Sequence, residues 1–134
     1  MLQVTINPSD GAPIYLQLVR QIKRLVAVGR LQPGDELPPV RALAQRLLIN
    51  PNTVVRAYRE LESAGLLEKR RGAGTFISAK GIPYSDIECR RILAERADAL
   101  LIEARTLGYS LEQITELLKE RDVALRSNGL AVDT

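Results

Sequence analysis

The chain has 134 residues, of which 46% are hydrophobic and 26% charged, a composition typical of a soluble globular protein with one compact domain and a short appendage. Histidine and tryptophan are absent and Cys89 is the single cysteine, which excludes a disulfide framework and a Cys/His zinc site. The first residues lack the pattern of a signal peptide, and no stretch approaches the roughly 20 apolar residues of a membrane span. We therefore expect a cytoplasmic protein with no metal site, no cofactor and no membrane contact.

The net charge of +3 conceals a difference between two parts of the chain. Residues 1–80 carry 12 Lys and Arg against 6 Asp and Glu, so this part has a net charge of +6. Residues 81–134 carry 7 Lys and Arg against 10 Asp and Glu, so this part has a net charge of −3. An excess of basic residues favours an anionic partner such as a nucleic acid, although basic side chains that only solvate a surface give the same count.

In the first part of the chain, residues 1–12 are expected to be extended and loosely ordered. Apolar residues at three- and four-residue spacing then predict three helices, over about 13–28, 40–48 and 51–64. Asn50 suits the N-cap of the third helix, and Pro51 suits its first position. Two strand-like runs beside Arg71-Gly72-Ala73-Gly74 predict a β-hairpin over 66–78 with a basic, glycine-rich tip.

The second part of the chain is predicted to be helical. Capping-box patterns at Ser85–Glu88 and Ser110–Gln113 indicate two helices, over about 86–106 and 111–121, with a frayed tail from about Ala124. Two such helices cannot bury both of their apolar stripes alone, so we expect them to pack against a second chain. An alternative is a helical hairpin packed on its own first domain. The residues assigned to dimerisation are Ile92, Leu100, Leu101, Ala104, Leu111, Ile114, Leu117 and Leu118.

The order helix, short strand, helix, turn, helix, hairpin is that of a winged helix-turn-helix, in which the third helix enters the DNA major groove. The expected fold class is therefore mainly α with a small β-hairpin, followed by a two-helix dimerisation segment. The expected domains are an N-terminal extended segment (1–12), a winged helix-turn-helix DNA-binding domain (13–80) and a short helical region for dimerisation or an effector (81–134).

The third predicted helix has one apolar and one polar face. At about 100° per residue, Val54, Ala57, Tyr58 and Leu61 fall on a face that we expect to be buried, and Ser63 falls on the opposite, polar face. Arginine and asparagine contact base edges, whereas hydroxyls, helix N-termini and glycine-containing basic loops contact phosphates. The predicted DNA-binding residues are Asn50, Asn52, Thr53, Val55, Arg56 and Arg59 in this helix, and Lys69, Arg70, Arg71, Gly72 and Gly74 in the hairpin.

These residues carry a family resemblance. The stretch from Pro13 to Ile77 resembles the DNA-binding domain of the GntR family of bacterial regulators. The matching landmarks are Pro13-Ile14-Tyr15, Leu31–Pro38, Arg41–Ala44, Asn52–Val54 and Gly72–Ile77. The resemblance implies that Arg41, Thr53 and Gly74 contact DNA. The remainder is similar to the YtrA-type subfamily, whose members usually dimerise through it and often lie beside transporter genes.

The sequence departs from the family pattern at several positions. Pro51 and Val55 stand where many members carry arginine, so we expect Arg56 and Asn52 to read bases while Val55 contacts a thymine methyl. Pro39 replaces the usual N-cap serine of the second helix. Leu48 stands in the turn between the second and third helices, where glycine is frequent.

The expected function is that of a sequence-specific repressor that binds a palindromic operator on double-stranded DNA as a homodimer. A small-molecule effector is not indicated. Alternatives are a winged helix that serves as a protein-interaction module and a nonspecific architectural DNA-binding protein. An enzyme is not expected, because the chain has no histidine and no recognisable nucleophile or metal constellation.

Overall fold

The computed structural model describes residues 2–80 and 84–131. Its elements are α1 (Ile14–Ala27), β1 (Glu36–Leu37), α2 (Val40–Leu47), α3 (Pro51–Ser63), β2 (Leu67–Arg70), β3 (Gly74–Ile77), α4 (Asp86–Thr106) and α5 (Leu111–Ala131). They form two compact units, Met1–Ile82 and Pro83–Thr134. Across the described ranges, no helix combines the length and the apolar character needed to cross a membrane. The first unit is a winged helix-turn-helix and the second is helical, which confirms the predicted fold class.

The core of the first unit lies between its three helices and its small sheet. The side chains of Leu18 and Ile22, one turn apart on α1, are completely buried. They meet equally buried side chains from α2, α3 and the sheet, which are Leu43, Val54, Leu61 and Leu37. Burying one such side chain contributes about 1.5–3 kcal/mol, so this core fixes the mutual positions of the three helices.

The first residues of the chain belong to this core. Leu2 and Val4 are 5% and 7% exposed, so the expected loose order of residues 1–12 is wrong for this segment. Gln17, a buried residue of α1, holds it: its Oε1 accepts a hydrogen bond from the Asn7 N–H at 2.9 Å, and its Nε2 donates to the Asn7 carbonyl at 3.0 Å. A buried amide needs such partners, and here the extended backbone supplies them.

The strands form an antiparallel sheet in the order β1-β3-β2. Leu67 pairs with Ile77 and Arg70 pairs with Gly74, so β2 and β3 form the predicted hairpin. The short segment before α2 adds a third strand by pairing Glu36 with Phe76. The hairpin is thereby attached to the helical core along β1.

The turn between α2 and α3 places a leucine in the left-handed region. Leu48 has φ 58° and ψ 46°, and it is the one non-glycine residue with positive φ in the described ranges. This conformation suits glycine and costs other residues roughly 1–2 kcal/mol. Its side chain is 91% exposed, so no packing in the chain compensates for the strain. The turn thus keeps the conformation expected of a glycine at this position.

Both helices of the second unit begin with the predicted capping contacts. Ser85 Oγ accepts a hydrogen bond from the Glu88 N–H at 3.2 Å. At the start of α5, Ser110 Oγ accepts from the Gln113 N–H at 3.2 Å, and Gln113 Oε1 accepts from the Ser110 N–H at 2.8 Å. These contacts satisfy backbone donors that the first helical turn leaves free.

Helix α5 is longer than the sequence pattern predicted. It continues to Ala131 instead of ending near residue 121, and the expected frayed tail from Ala124 is wrong up to that point. Residues 132–134 lie outside the described part of the chain. No proline interrupts this stretch, and an Asp122–Arg126 ion pair of 2.9 Å joins successive turns. Ion pairing between turns therefore supports α5 in a stretch whose residues include the weak helix formers Ser127, Asn128 and Gly129.

We predict that Leu48→Gly stabilises the protein, because glycine relieves the left-handed strain and the exposed leucine side chain makes no packing contribution. After subtraction of the greater entropy of glycine in the unfolded chain, the expected gain is about 0.5–1 kcal/mol. Urea unfolding at equilibrium measures it. Leu48→Ala is the control, since alanine keeps Cβ and should give no comparable gain. A less stable glycine variant would contradict the strain at this turn.

Candidate nucleic-acid interface

The N-terminus of α3 is fixed by a side-chain cap. Asn50 Oδ1 accepts a hydrogen bond from the Asn52 N–H at 2.8 Å, and Pro51 occupies the first helical position. The Asn50 carbonyl accepts from the Thr53 N–H at 3.0 Å. Asn50 and Asn52 are exposed and Thr53 is half-buried, so this polar helix end faces solvent. A helix N-terminus with polar side chains around it attracts a phosphate.

The opposite side of α3 is anchored in the core as predicted. Val54, Ala57 and Leu61 are completely buried, and Tyr58 is 4% exposed. The Tyr58 hydroxyl donates a hydrogen bond to the Pro38 carbonyl at 2.7 Å, which ties α3 to the segment before α2. Burial raises the pKa of Tyr58 well above its usual range, although the nearby Arg46 opposes this shift. The hydroxyl therefore stays protonated and remains a donor.

The other face of α3 is open to solvent. Asn52, Arg56 and Arg59 are exposed, and Val55 is half-buried among them. Together with Glu60 and Ser63 they line one shallow depression along the helix. The polar face predicted for α3 therefore forms one continuous exposed surface. Glu60, which was not among the predicted DNA-binding residues, adds a carboxylate at its edge.

Arg56 is held by a residue that the sequence pattern did not assign to the site. Its guanidinium carbon lies over the ring of Tyr15, 3.7 Å from the ring centroid. Tyr15 belongs to α1, far from α3 in the sequence, so helical spacing gave no signal for this pair. The contact is a cation–π interaction at short range.

Arg41 lies close to the start of α3. It is exposed in the first turn of α2, and it lines a second open depression together with Leu48, Ile49 and Pro51. The family resemblance assigned Arg41 to the DNA-binding surface. Its charge lies on the same side of the first unit as the capped end of α3.

The hairpin divides its three cations into two groups. Arg70 Nη2 lies 3.1 Å from Glu68 Oε1, and the Arg70 guanidinium carbon lies 4.1 Å from the centroid of the Phe76 ring. Lys69 and Arg71 are exposed, and no ion pair or ring contact engages them within the described ranges. The sequence pattern treated Lys69, Arg70 and Arg71 as equivalent. Of these three, only the charges of Lys69 and Arg71 are not neutralised by a neighbouring carboxylate in the described part of the chain.

Two glycines shape the end of the hairpin. Gly72 has φ +75° and Gly74 has φ +120°, both in the region that side chains disfavour. A Cβ on Gly74 would stand 3.0 Å from Glu36 Oε2, whereas a Cβ on Gly72 would meet no atom within 4 Å. Gly72 therefore leaves its backbone open to a close approach from outside.

The residues predicted for dimerisation are in different environments. Ala104 and Ile114 are each 5% exposed, so they are already buried within one chain near the bend between α4 and α5. Ile92 and Leu101 are half-buried. Leu100, Leu111, Leu117 and Leu118 are the predicted dimerisation residues that remain exposed.

The described residues contain no group of three or more His, Cys, Asp or Glu side chains that could hold a metal ion. The exposed faces of α3 and the hairpin instead offer hydrogen-bond donors, positive charge and open backbone. This chemistry suits the edge and the backbone of a nucleic acid duplex.

Comparisons with known proteins agree with this chemistry. Residues 14–77 match the family model described as bacterial regulatory proteins, gntR family. Over 117 residues the chain is 40% identical to the HTH-type transcriptional repressor YtrA of Bacillus subtilis (strain 168), an alignment that covers 87% of this chain and 90% of that protein.

Two solved structures extend the comparison. A transcriptional antiterminator from Listeria monocytogenes EGD-e has a TM-score of 0.82 at 32% identity, with 93% of each chain covered. AraR(DBD) in complex with operator ORX1 has a TM-score of 0.50 at 28% identity, with 57% of this chain and 96% of that chain covered.

The similarity to YtrA extends beyond the family model into the helices of the second unit, as the YtrA-type resemblance requires. The matched family and the relatives are transcriptional regulators, not enzymes. This chain therefore belongs to the GntR family of bacterial regulatory proteins and is a DNA-binding transcriptional regulator.

Proposed function

We propose that the protein is a sequence-specific repressor that binds a palindromic operator as a homodimer, with α3 in the major groove. The observation that carries the proposal is the two-sided α3: Val54 and Leu61 are completely buried, while Arg56 and Arg59 are exposed. A helix held in this way presents a fixed set of donors to base edges. The likeness to AraR(DBD), which was solved with an operator, supports the proposal.

Base reading is assigned to the exposed face of α3. Arg56 has the donor geometry for guanine O6 and N7, and Asn52 has that for adenine N6 and N7. Val55 is half-buried beside them and offers an apolar contact for a thymine methyl. Arg59, one turn further along the helix, contacts the duplex at the far end of the same face.

Backbone contacts are assigned to the flanks of α3. At its N-terminus, Asn50, Thr53 and Arg41 bind phosphate oxygens. The hairpin adds Lys69 and Arg71 as phosphate contacts, and Gly72 permits close backbone approach. Arg70 contributes less, because Glu68 neutralises part of its charge.

Dimerisation is assigned to the second unit, residues 83–134. Leu111 and Leu118 of α5 are 64% and 51% exposed, and Leu100 of α4 is 40% exposed. Isolated helices with exposed leucines gain stability only when a partner covers them. The same leucine stripe on a second copy of the chain can cover this surface in a twofold dimer, so a second copy is the simplest partner. Such a dimer presents two α3 helices to two half-sites of a palindrome.

The direct test is selection of duplexes from a randomised library by the full chain. The proposal predicts recovery of one imperfect palindrome, which should then be sought upstream of the protein's own gene and of neighbouring transporter genes. Recovery of random sequences with uniform protection in a footprint would favour an architectural DNA-binding protein. Absence of duplex binding at physiological salt would favour a protein-interaction module.

Two arginine variants separate base reading from phosphate binding. Arg56→Ala should weaken binding to the selected operator by about 1–3 kcal/mol and reduce discrimination against random DNA, because it removes a base contact. Arg71→Ala should weaken binding to both duplexes alike and reduce the salt slope of log K by about 1. Fluorescence anisotropy over a salt series measures both quantities. Equal losses on both duplexes for Arg56→Ala would contradict its base-reading role.

A matched pair of α5 variants tests the dimer surface. Leu118 and Val123 are 51% and 57% exposed, but at about 100° per residue Leu118 falls on the stripe with Ile114, whereas Val123 falls opposite. Leu118→Glu should raise the dimer dissociation constant at least about tenfold, since it buries a charge at the interface. Val123→Glu should leave it unchanged. Sedimentation velocity measures both, and a monomeric wild-type protein at micromolar concentration would refute the dimer.

A further inference from the structure

We propose that Tyr15 is a positioning residue that holds the Arg56 guanidinium ready for base reading and thereby contributes to operator discrimination. The inference rests on the proposed function of α3 and adds a residue from α1 to it. Its basis is the contact between the two side chains, in which the Arg56 guanidinium carbon lies 3.7 Å from the centroid of the Tyr15 ring.

The Tyr15 ring is a fixed support. Tyr15 is the second residue of α1, and its half-buried side chain packs against the buried core cluster. The same core holds α3 through Val54 and Leu61. Because α1 and α3 are fixed to one core, the ring stays at a constant place relative to the Arg56 backbone.

Stacking leaves the hydrogen-bonding edge of Arg56 available. A guanidinium stacks through its flat face, whereas its N–H donors point outward in its plane. Within residues 2–80 and 84–131, no acceptor is hydrogen-bonded to this guanidinium. The in-plane donors can therefore meet guanine O6 and N7 while the ring still supports the face.

The contact also reduces the cost of ordering Arg56. A long side chain loses rotamer freedom when it binds, and a side chain that is already ordered in the free protein loses less. Arg59 has the same charge and lies on the same face of α3, but no aromatic ring of the described residues stacks on it. The structure thus distinguishes Arg56 from Arg59 as the preorganised reader.

The test uses the full-length protein, the operator selected from the random library and a random duplex of equal length. Discrimination is the ratio of the two dissociation constants at one salt concentration. Tyr15→Leu removes the ring but keeps an apolar side chain on the core, and it should reduce discrimination about three- to fivefold. Tyr15→Phe keeps the ring and should retain discrimination. In the Arg56→Ala background, Tyr15→Leu should cause no further loss.

Three outcomes would overturn the inference. These are unchanged discrimination in Tyr15→Leu, an equal loss in Tyr15→Phe, and a full further loss in the Arg56→Ala background, which would indicate a merely structural role. Thermal unfolding verifies that the variants are folded, and Tyr15→Met replaces Tyr15→Leu if the latter is not. Absence of discrimination by the wild-type protein would instead refute the proposed function.

A spectroscopic measurement tests the contact without a variant. The Tyr15 ring current should shift the Arg56 side-chain N–H resonances upfield in the free protein and in the operator complex. A shift that disappears on operator binding would show that the ring releases Arg56, which would overturn the positioning role.

Discussion

The structure depends on the anchoring of one face of α3. Val54, Ala57 and Leu61 are completely buried between α1, α2 and the sheet, and the Tyr58 hydroxyl donates to the Pro38 carbonyl at 2.7 Å. Burial of these side chains offsets part of the conformational entropy that a 13-residue helix loses on folding. A helix anchored through four positions cannot rotate about its axis, so its polar side chains have fixed directions. Recognition of a duplex by hydrogen bonds requires this fixed geometry.

The rest of the first unit supports α3 or extends its surface. Leu2 and Val4 close the core, and β1 attaches the hairpin to the helices. Two arginines of this unit differ in how they are held. Arg56 is stacked on Tyr15, while Arg71 is exposed at the tip of the hairpin. The arginine assigned to guanine is therefore ordered in the free protein, whereas the hairpin arginine assigned to the phosphate backbone is free to adapt. The second unit, with a charge of opposite sign, offers leucines instead.

Much of this arrangement could be predicted from local sequence patterns. The bounds of α3, its cap at Asn50 and its buried face follow from helical spacing and capping preferences, which act within a few residues. The Tyr15–Arg56 stack could not be predicted, because it depends on how α1 and α3 pack. Burial of the first residues had a signal in the alternation of Leu2, Val4 and Ile6, but what covers such a strand is a tertiary property. The extra length of α5 had no such signal, because Ser127, Asn128 and Gly129 favour an earlier end of the helix.

The central claim is that the exposed face of α3 contacts the operator while its other face stays in the core. Chemical-shift mapping of backbone amides during titration with the selected duplex tests it most directly. The account predicts that the largest changes occur in residues 50–59 and 69–74, with small changes in residues 18–27 of α1. Changes confined to residues 86–131, or changes of equal size throughout the first unit, would contradict it.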